Sequence, residues 1–382
     1  MPDNIQNAVP SSSYHRTNHY RGRITQIRIF LVRLFRLFFY QNDWKVLPMS
    51  ALVAGLVAMV IRVSMFVTME GSLLGAFALA CVALWNGCFN SIQTIVRERD
   101  VIKREHRSGM HISSYIIANV LYQAMLCFVQ TILTMYVCLR MGIKFPENGM
   151  FTSSMVMDVA ISIFLITFAA DMLSLMLSCM VHTTTAAMTL MPFVLIFQLV
   201  FSGGLFSLPE WGQSMTGLTI SGSGMKCIAA QADYNNLPMV TGWNALFKMR
   251  KENVRITVKL GQVLDFLSEN NNKSIVEFRE KDIGGGFTAG DMLEMMNASP
   301  EIQASRDEEV TVETTVGELI DMVGENKVRD LIQSRTAQAS QVQAYEKTKA
   351  NIGGYWGDLL LHCMVYILVA TVFLEFIDKD KR

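Results

Sequence analysis

Between Arg97 and Arg107 the chain sets Arg97, Arg99, Lys103, Arg104 and Arg107 against Glu98, Asp100 and Glu105. Side chains of this kind form charge-assisted hydrogen bonds to carboxylates, phosphates or a partner's charged surface. Covalent chemistry has no comparable home. No Gly-x-x-x-x-Gly-Lys-Ser/Thr occurs, so phosphate-loop nucleotide chemistry is not expected. Gly284-Gly-Gly-Phe-Thr-Ala-Gly290 is glycine-rich but lacks the lysine and reads as a flexible loop. There is no Gly-x-Ser-x-Gly elbow and no His-Glu-x-x-His pair, and His106, His111, His182 and His362 are scattered. The seven cysteines form no Cys-x-x-Cys pair or Cys/His cluster, which argues against zinc and against a disulfide framework. Cys227, in the polar region after residue 220, reads as an unpaired thiol, with an inter-chain disulfide as the alternative. The residues point to docking, without a catalytic site or a metal.

The charged run lies between two apolar stretches. Hydrophobic residues make up 51% of the 382 and charged ones 17%, against about 25% charged in soluble domains. Net charge is zero, so nucleic acid is not an expected partner. About 20 apolar residues span a bilayer as a helix. Segments 46–67, 72–96, 113–138, 154–179, 186–206 and 357–377 qualify. Ile24 to Tyr40 is also apolar but carries Arg28, Arg33 and Arg36, as in a helix lying at the headgroups; a seventh span is the alternative. The predicted fold is an all-α membrane protein. It has six transmembrane helices, an N-terminal amphipathic interfacial helix and a mainly helical extracytoplasmic insert between helices 5 and 6.

Its organisation follows. Residues 1–22 form a disordered cytoplasmic arm, 23–41 the amphipathic helix and 42–206 helices 1–5, with a cytoplasmic charged helix at 97–107. Residues 207–240 are an outer re-entrant segment, 241–352 the extracytoplasmic insert, and 353–382 helix 6 with a cytoplasmic tail. Basic residues favour the cytoplasmic side. The arm, the 97–107 run and the Asp378-Lys-Asp-Lys-Arg382 tail then share it, which places both termini in the cytoplasm of a cell whose plasma or cytoplasmic membrane holds the chain.

Within the insert a pattern recurs as LGQVLDFL at Leu260, AGDMLEMM at Ala289 and VGELIDMV at Val316. Each reads as an amphipathic helix start. Thr315 with Glu318 makes a capping box, and Thr288 with Asp291 a weaker one. The three are an internal repeat or three unrelated helices with similar starts.

Polar residues inside the spans are costly in lipid. Asp171 is a candidate for the translocation pathway, a proton relay or an interhelical partner. Arg62 and Asp158 lie at matching depths and are candidates for an ion pair, with snorkelling as the alternative. Asn119, Gln123 and Gln130 are candidate interhelical hydrogen-bond partners.

Two segments resemble a known family. Trp85-Asn-Gly-Cys-Phe-Asn90, Ile95-Val-Arg-Glu-Arg99, Arg104-Glu-His-Arg-Ser-Gly109 and Tyr115 look like the second span, cytoplasmic loop and third-span start of ABC-2 type permeases. The likeness is to the G-subfamily, the White and pleiotropic-drug-resistance kind. Phe201-Ser-Gly-Gly-Leu-Phe-Ser-Leu-Pro-Glu-Trp211 is similar to the segment closing that family's fifth span. The likeness covers about 24–230 and 355–380. His111 stands where the family often has Tyr, Tyr122-Gln-Ala lacks its acid-and-proline element, and Gly204-Leu205 replaces a leucine pair. The 241–350 insert is longer than the family's usual outer loop.

The resemblance implies the permease subunit of an ATP-binding-cassette exporter, with an amphipathic or lipid-like cargo. ATP and Mg²⁺ would sit on a separate ATPase subunit, and two permease copies would pair as a homo- or heterodimer in the bilayer. Arg97, Glu98, Arg99, Lys103, Arg104, Glu105 and Gly109 would couple to the ATPase. Phe89, Asn119, Asp171, Phe201, Gly204 and Leu205 would line the pathway. The alternative from another class is a non-transporting receptor or scaffold acting through its outer domain.

Overall fold

In lipid every backbone polar group must find a partner within the protein, so long apolar runs become helices. The computed structural model describes residues 22–204, 206, 208–270 and 273–376. The expected arm therefore falls almost wholly outside the described residues, as does the basic tail after 376. The first half is helical: α1 (Arg23–Tyr40), α2 (Val46–Ile61), α3 (Met69–Ser91), α4 (Thr94–Arg107), α5 (Ile112–Arg140), α6 (Met155–Met180) and α7 (Thr184–Val200). Next come two short helices, α8 (Glu210–Thr216) and α9 (Ile220–Gln231). The insert holds α10 (Thr241–Lys248), β1 (Asn253–Lys259), α11 (Leu260–Glu269), α12 (Lys273–Arg279), β2 (Asp282–Gly284) and β3 (Phe287–Thr288). It continues with α13 (Ala289–Ala298), α14 (Pro300–Ala304), β4 (Glu309–Thr315), α15 (Val316–Val323) and α16 (Glu325–Ala339), and α17 (Lys349–Glu375) closes the fold.

Among the described residues, five helical stretches are long and apolar enough to cross a membrane: Asp43–Ile61, Met69–Arg107, Ile112–Arg140, Met155–Met180 and Lys349–Glu375. The expected span at 186–206 is shorter, because α7 gives way to a turn after Val200 and Gly203 sits at φ +77°. Its 17 residues rise about 26 Å, at the lower limit for a crossing. Four arginines, Arg23, Arg28, Arg33 and Arg36, keep α1 out of the spanning set.

Two centrally placed helices, α3 and α6, carry the core. They touch closely because Gly87 faces the backbone of α6: a Cβ there would lie 2.0 Å from the Thr167 carbonyl oxygen. A glycine inside a helix costs about 1 kcal/mol relative to alanine, and this contact offsets that cost. Within the 207–240 segment, α9 is a 12-residue helix buried almost throughout and packed on α3, α6 and α17. Gly224 gives it room beside Ile166.

The strands were not foreseen. β1 and β4 pair antiparallel with Ile256 opposite Val312, and β2 and β3 form a small hairpin around Gly284, Gly285 and Gly286, all at positive φ. The three recurring segments do start helices α11, α13 and α15. Both capping boxes form, at Thr288/Asp291 and Thr315/Glu318. Each carboxylate is held below its usual range, first by the backbone amide of the capping threonine and then by a hydroxyl, that of Thr288 for Asp291 and that of Thr314 for Glu318.

Structure resolves the repeat in favour of true equivalence for the outer two segments. Arg250, Glu252, Val254, Gly261, Asp265, Glu269 and Asn270 recur 56 positions later as Arg306, Glu308, Val310, Gly317, Asp321, Glu325 and Asn326. Their contacts are reciprocal. Leu260 and Gly261 amides donate to the carbonyls of Glu308 and Arg306, while Val316 and Gly317 donate to those of Glu252 and Arg250. Arg306 pairs with Asp265 and Arg250 with Asp321. Since Ile256 and Val312 are themselves equivalent, the two copies meet about a local twofold axis through that pair.

Candidate functional site

The charged run folds as α4, the outward continuation of α3. Met69 to Arg107 is 39 residues, about 58 Å of helix, against a hydrocarbon core of about 30 Å. One crossing therefore uses only part of that length, and α4 follows α3 after a two-residue break at 92–93. At the other end the insert is attached, with Pro238 accepting from the Met69 amide and Glu70 from Val240 and Thr241.

Four contacts seat α4. Ser178 Oγ accepts the amides of Ile95 and Val96, both at 3.2 Å, which satisfies donors at the helix start. Buried Arg99 donates to the carbonyls of Cys179 (3.1 Å) and Val181 (2.9 Å), just where α6 ends and leaves carbonyls open. Arg33 of α1 forks between Glu98 (2.9 Å) and Glu105 (3.0 Å). Tyr115 of α5 donates to Glu98 at 3.3 Å. Burial opposes the charge of Arg33, but Glu98 and Glu105 outweigh it and hold the guanidinium proton more tightly than usual. Gly109, at φ +97°, turns the chain from α4 into α5.

The orientation of each side chain follows from the 3.6-residue period. Glu98 and Glu105 point back to α1, whereas Arg97, Asp100, Arg104 and Arg107 form an exposed stripe. Arg97 is held by Gln41 (3.0 Å) and Gln93 (2.7 Å). Lys103 is half-buried. Arg33 was noted in the sequence only as an expensive residue on an apolar helix. Its burial beside two acids spaced seven residues apart on α4 is what gives it a role, and an arginine amid aromatics was the available signal.

The other candidates separate. Phe89 stacks on Trp85 at 4.9 Å between ring centres on a half-exposed face of α3. Phe201 packs on Phe197 at 4.9 Å. Gly204 lies so close to Phe77 and Met225 that a Cβ would clash; Leu205 lies outside the described residues. Asn119 and Asp171 are fully buried inside the bundle, and Asn119 donates to Tyr115 O of its own helix at 3.0 Å. Gln130 bonds across helices to Asn90, whereas neither side-chain group of Gln123 has a partner.

The expected Arg62–Asp158 ion pair does not form. The loop before α6 folds back over Asp158, whose carboxylate accepts from the amides of Met150 (2.6 Å), Phe151 (3.0 Å) and Thr152 (2.9 Å) and from Thr152 Oγ1 (2.7 Å). Local amides satisfy the acid, and Arg62 stays exposed to either headgroups or water. Among the described residues all seven cysteines are free, and Cys227 is buried beside Ser162.

The model for the ABC-2 type transporter family covers residues 25–217, from α1 through α8. No curated protein matches the chain.

Proposed function

The chain belongs to the ABC-2 type transporter family, which makes it the membrane subunit of an ABC transporter, and from that premise we propose an exporter of the G-subfamily kind. A separate ATPase chain, carrying ATP and Mg²⁺, docks on α4 from the cytoplasm. The observation that carries this reading is the two-sidedness of α4. Its acids Glu98 and Glu105 are consumed internally by Arg33, and its stripe of Arg97, Asp100, Arg104 and Arg107 faces out.

In this reading the stripe, with Lys103 at its side, binds the ATPase. Arg99 and the Glu98–Arg33–Glu105 fork make α1, α4 and the end of α6 one body, so that a push on α4 shifts rigid helices rather than bending a loop. Two copies pair in the bilayer, and an amphipathic cargo leaves between them. Asn119 and Asp171 belong to the interior of each copy. The insert and α9 lie on the extracytoplasmic side, and both termini on the cytoplasmic side.

A second reading has one observation in its favour. The twofold pairing within the insert is complete without the bundle, as befits a receptor or scaffold whose work is done by that domain.

Co-purification with the cognate ATPase in mild detergent tests the proposal. Arg104→Glu with Arg107→Glu is expected to abolish association, while Glu98→Gln preserves association and lowers transport. Unchanged association and transport in the double reversal sinks the docking assignment.

A further inference from the structure

Asp171 stands near the middle of α6 and is fully buried. Its Oδ2 accepts from Cys127 Sγ at 3.2 Å and lies 3.5 Å from Asn90 Nδ2, and its Oδ1 has no partner. Among the described residues no lysine or arginine pairs with it. A buried polar atom left without a partner is rare and calls for an explanation, and acids inside membrane bundles serve most often as ion or proton sites.

The surroundings supply one. Asn90 exchanges two 2.9 Å hydrogen bonds with Gln130 and also lines a cavity of about 250 Å³. That cavity runs between α1, α4 and α5. Leu34, Phe38 and Tyr122 wall it, and Arg97 and Glu98 lie toward the charged end. Among the described residues, Asn90 is thus the side chain that both lines the cavity and lies within 3.5 Å of the carboxylate of Asp171. The other titratable groups near Asp171 are Cys88 from α3, Tyr122 and Cys127 from α5, and Cys363 from α17, none of them a cation. Asp43, which follows α1, and Arg97 and Glu98 of α4 are the charged residues that line the route.

We propose that Asp171 is a proton-exchange site, fed with water-borne protons through this cavity and gated by Asn90. A hydronium ion in the cavity gives its proton to Oδ1 when the Asn90 amide moves aside, leaving one water and a neutral carboxylic acid. Release is the reverse, and no other reactant takes part. Because α1 and α4 form two walls, displacement of α4 alters the cavity's width. That link to the ATP cycle rests on the transport reading; the proton site does not.

Infrared titration of the full-length protein in nanodiscs tests it. The wild type is expected to show a carboxyl C=O band that titrates with bulk pH and disappears in Asp171→Asn. Asn90→Leu is expected to keep the band and slow its exchange in deuterated water at least tenfold. A band unchanged by Asp171→Asn, or unresponsive to pH, overturns the proposal. If Asp171→Asn does not fold, the exchange rate in Asn90→Leu decides, an unaltered rate counting against the gate and the route. Transport assays are not needed for this result, so its failure and that of the exporter reading are distinguishable.

Discussion

Glu70, in the first turn of α3, accepts a 2.7 Å hydrogen bond from the Thr241 amide at the start of α10. Thr241 Oγ1 (2.6 Å) and the Val240 amide (3.0 Å) donate to the same oxygen. A carboxylate from the bundle thus caps a helix of the insert. Together with Met69 and Pro238 it ties the insert to the helix that ends in α4.

Glu70→Ala removes that cap. Loss of a helix N-cap costs about 1 kcal/mol, so amide exchange across α10 is expected to quicken about fivefold, with α5 and α6 unchanged. Hydrogen exchange read by mass spectrometry checks this. Equal protection of α10 in the variant shows that the capping contact contributes nothing.

Arg33→Ala leaves Glu98 and Glu105 facing each other without their cation. Arg33 is 29% exposed, so the expected cost is about 1–2 kcal/mol, below the 3–5 of a fully buried pair. Arg33→Lys recovers less than half, since an ammonium cannot fork between two acids. Thermal unfolding gives the stability. ATP turnover in the assembled transporter gives the coupling, which is expected to drop even where association persists.

The Arg250–Asp321 and Arg306–Asp265 pairs of the insert lie at opposite ends of β1 and β4. The seven residues of each strand separate them by about 23 Å. Each pair is one third to one half exposed and worth about 1 kcal/mol. Arg250→Ala and Arg306→Ala are expected to add within about 0.5 kcal/mol, whereas Arg250→Ala and Asp321→Ala are not. Double-mutant cycles measured by denaturant unfolding distinguish the two cases.

Acid acts on the caps. Hydrogen bonds from Thr288 hold the carboxylate of Asp291 below its usual range, and those from the Thr315 amide and the Thr314 hydroxyl do the same for Glu318. A depressed folded value means that the stabilisation is complete above the unfolded value and is lost as pH falls through the folded one. Exchange at the first turn of α15 is therefore expected to rise below the ordinary glutamate range. Glu318→Gln should flatten that dependence, because glutamine keeps the reciprocal bond without titrating.

Much of this protein was fixed by residues near one another in the chain. Apolar runs of bilayer length impose helices, the Arg97–Arg107 run must leave the bilayer, and Thr315 with Glu318 closes a capping box three residues apart. Spacing alone decides such matters, because the partners are the chain's own neighbours. Tertiary structure decided the pairings across distance. Glu98 and Glu105 turned inward because Arg33 arrives from α1, and Asp158 went to loop amides that reach it, leaving Arg62 exposed. β1 and β4 carry alternating patterns that the helix-start signals beside them obscured, and their pairing joins segments 56 residues apart. A charge or a strand edge announces in sequence that it needs a partner; which partner satisfies it depends on the helices that bring the two within bonding distance.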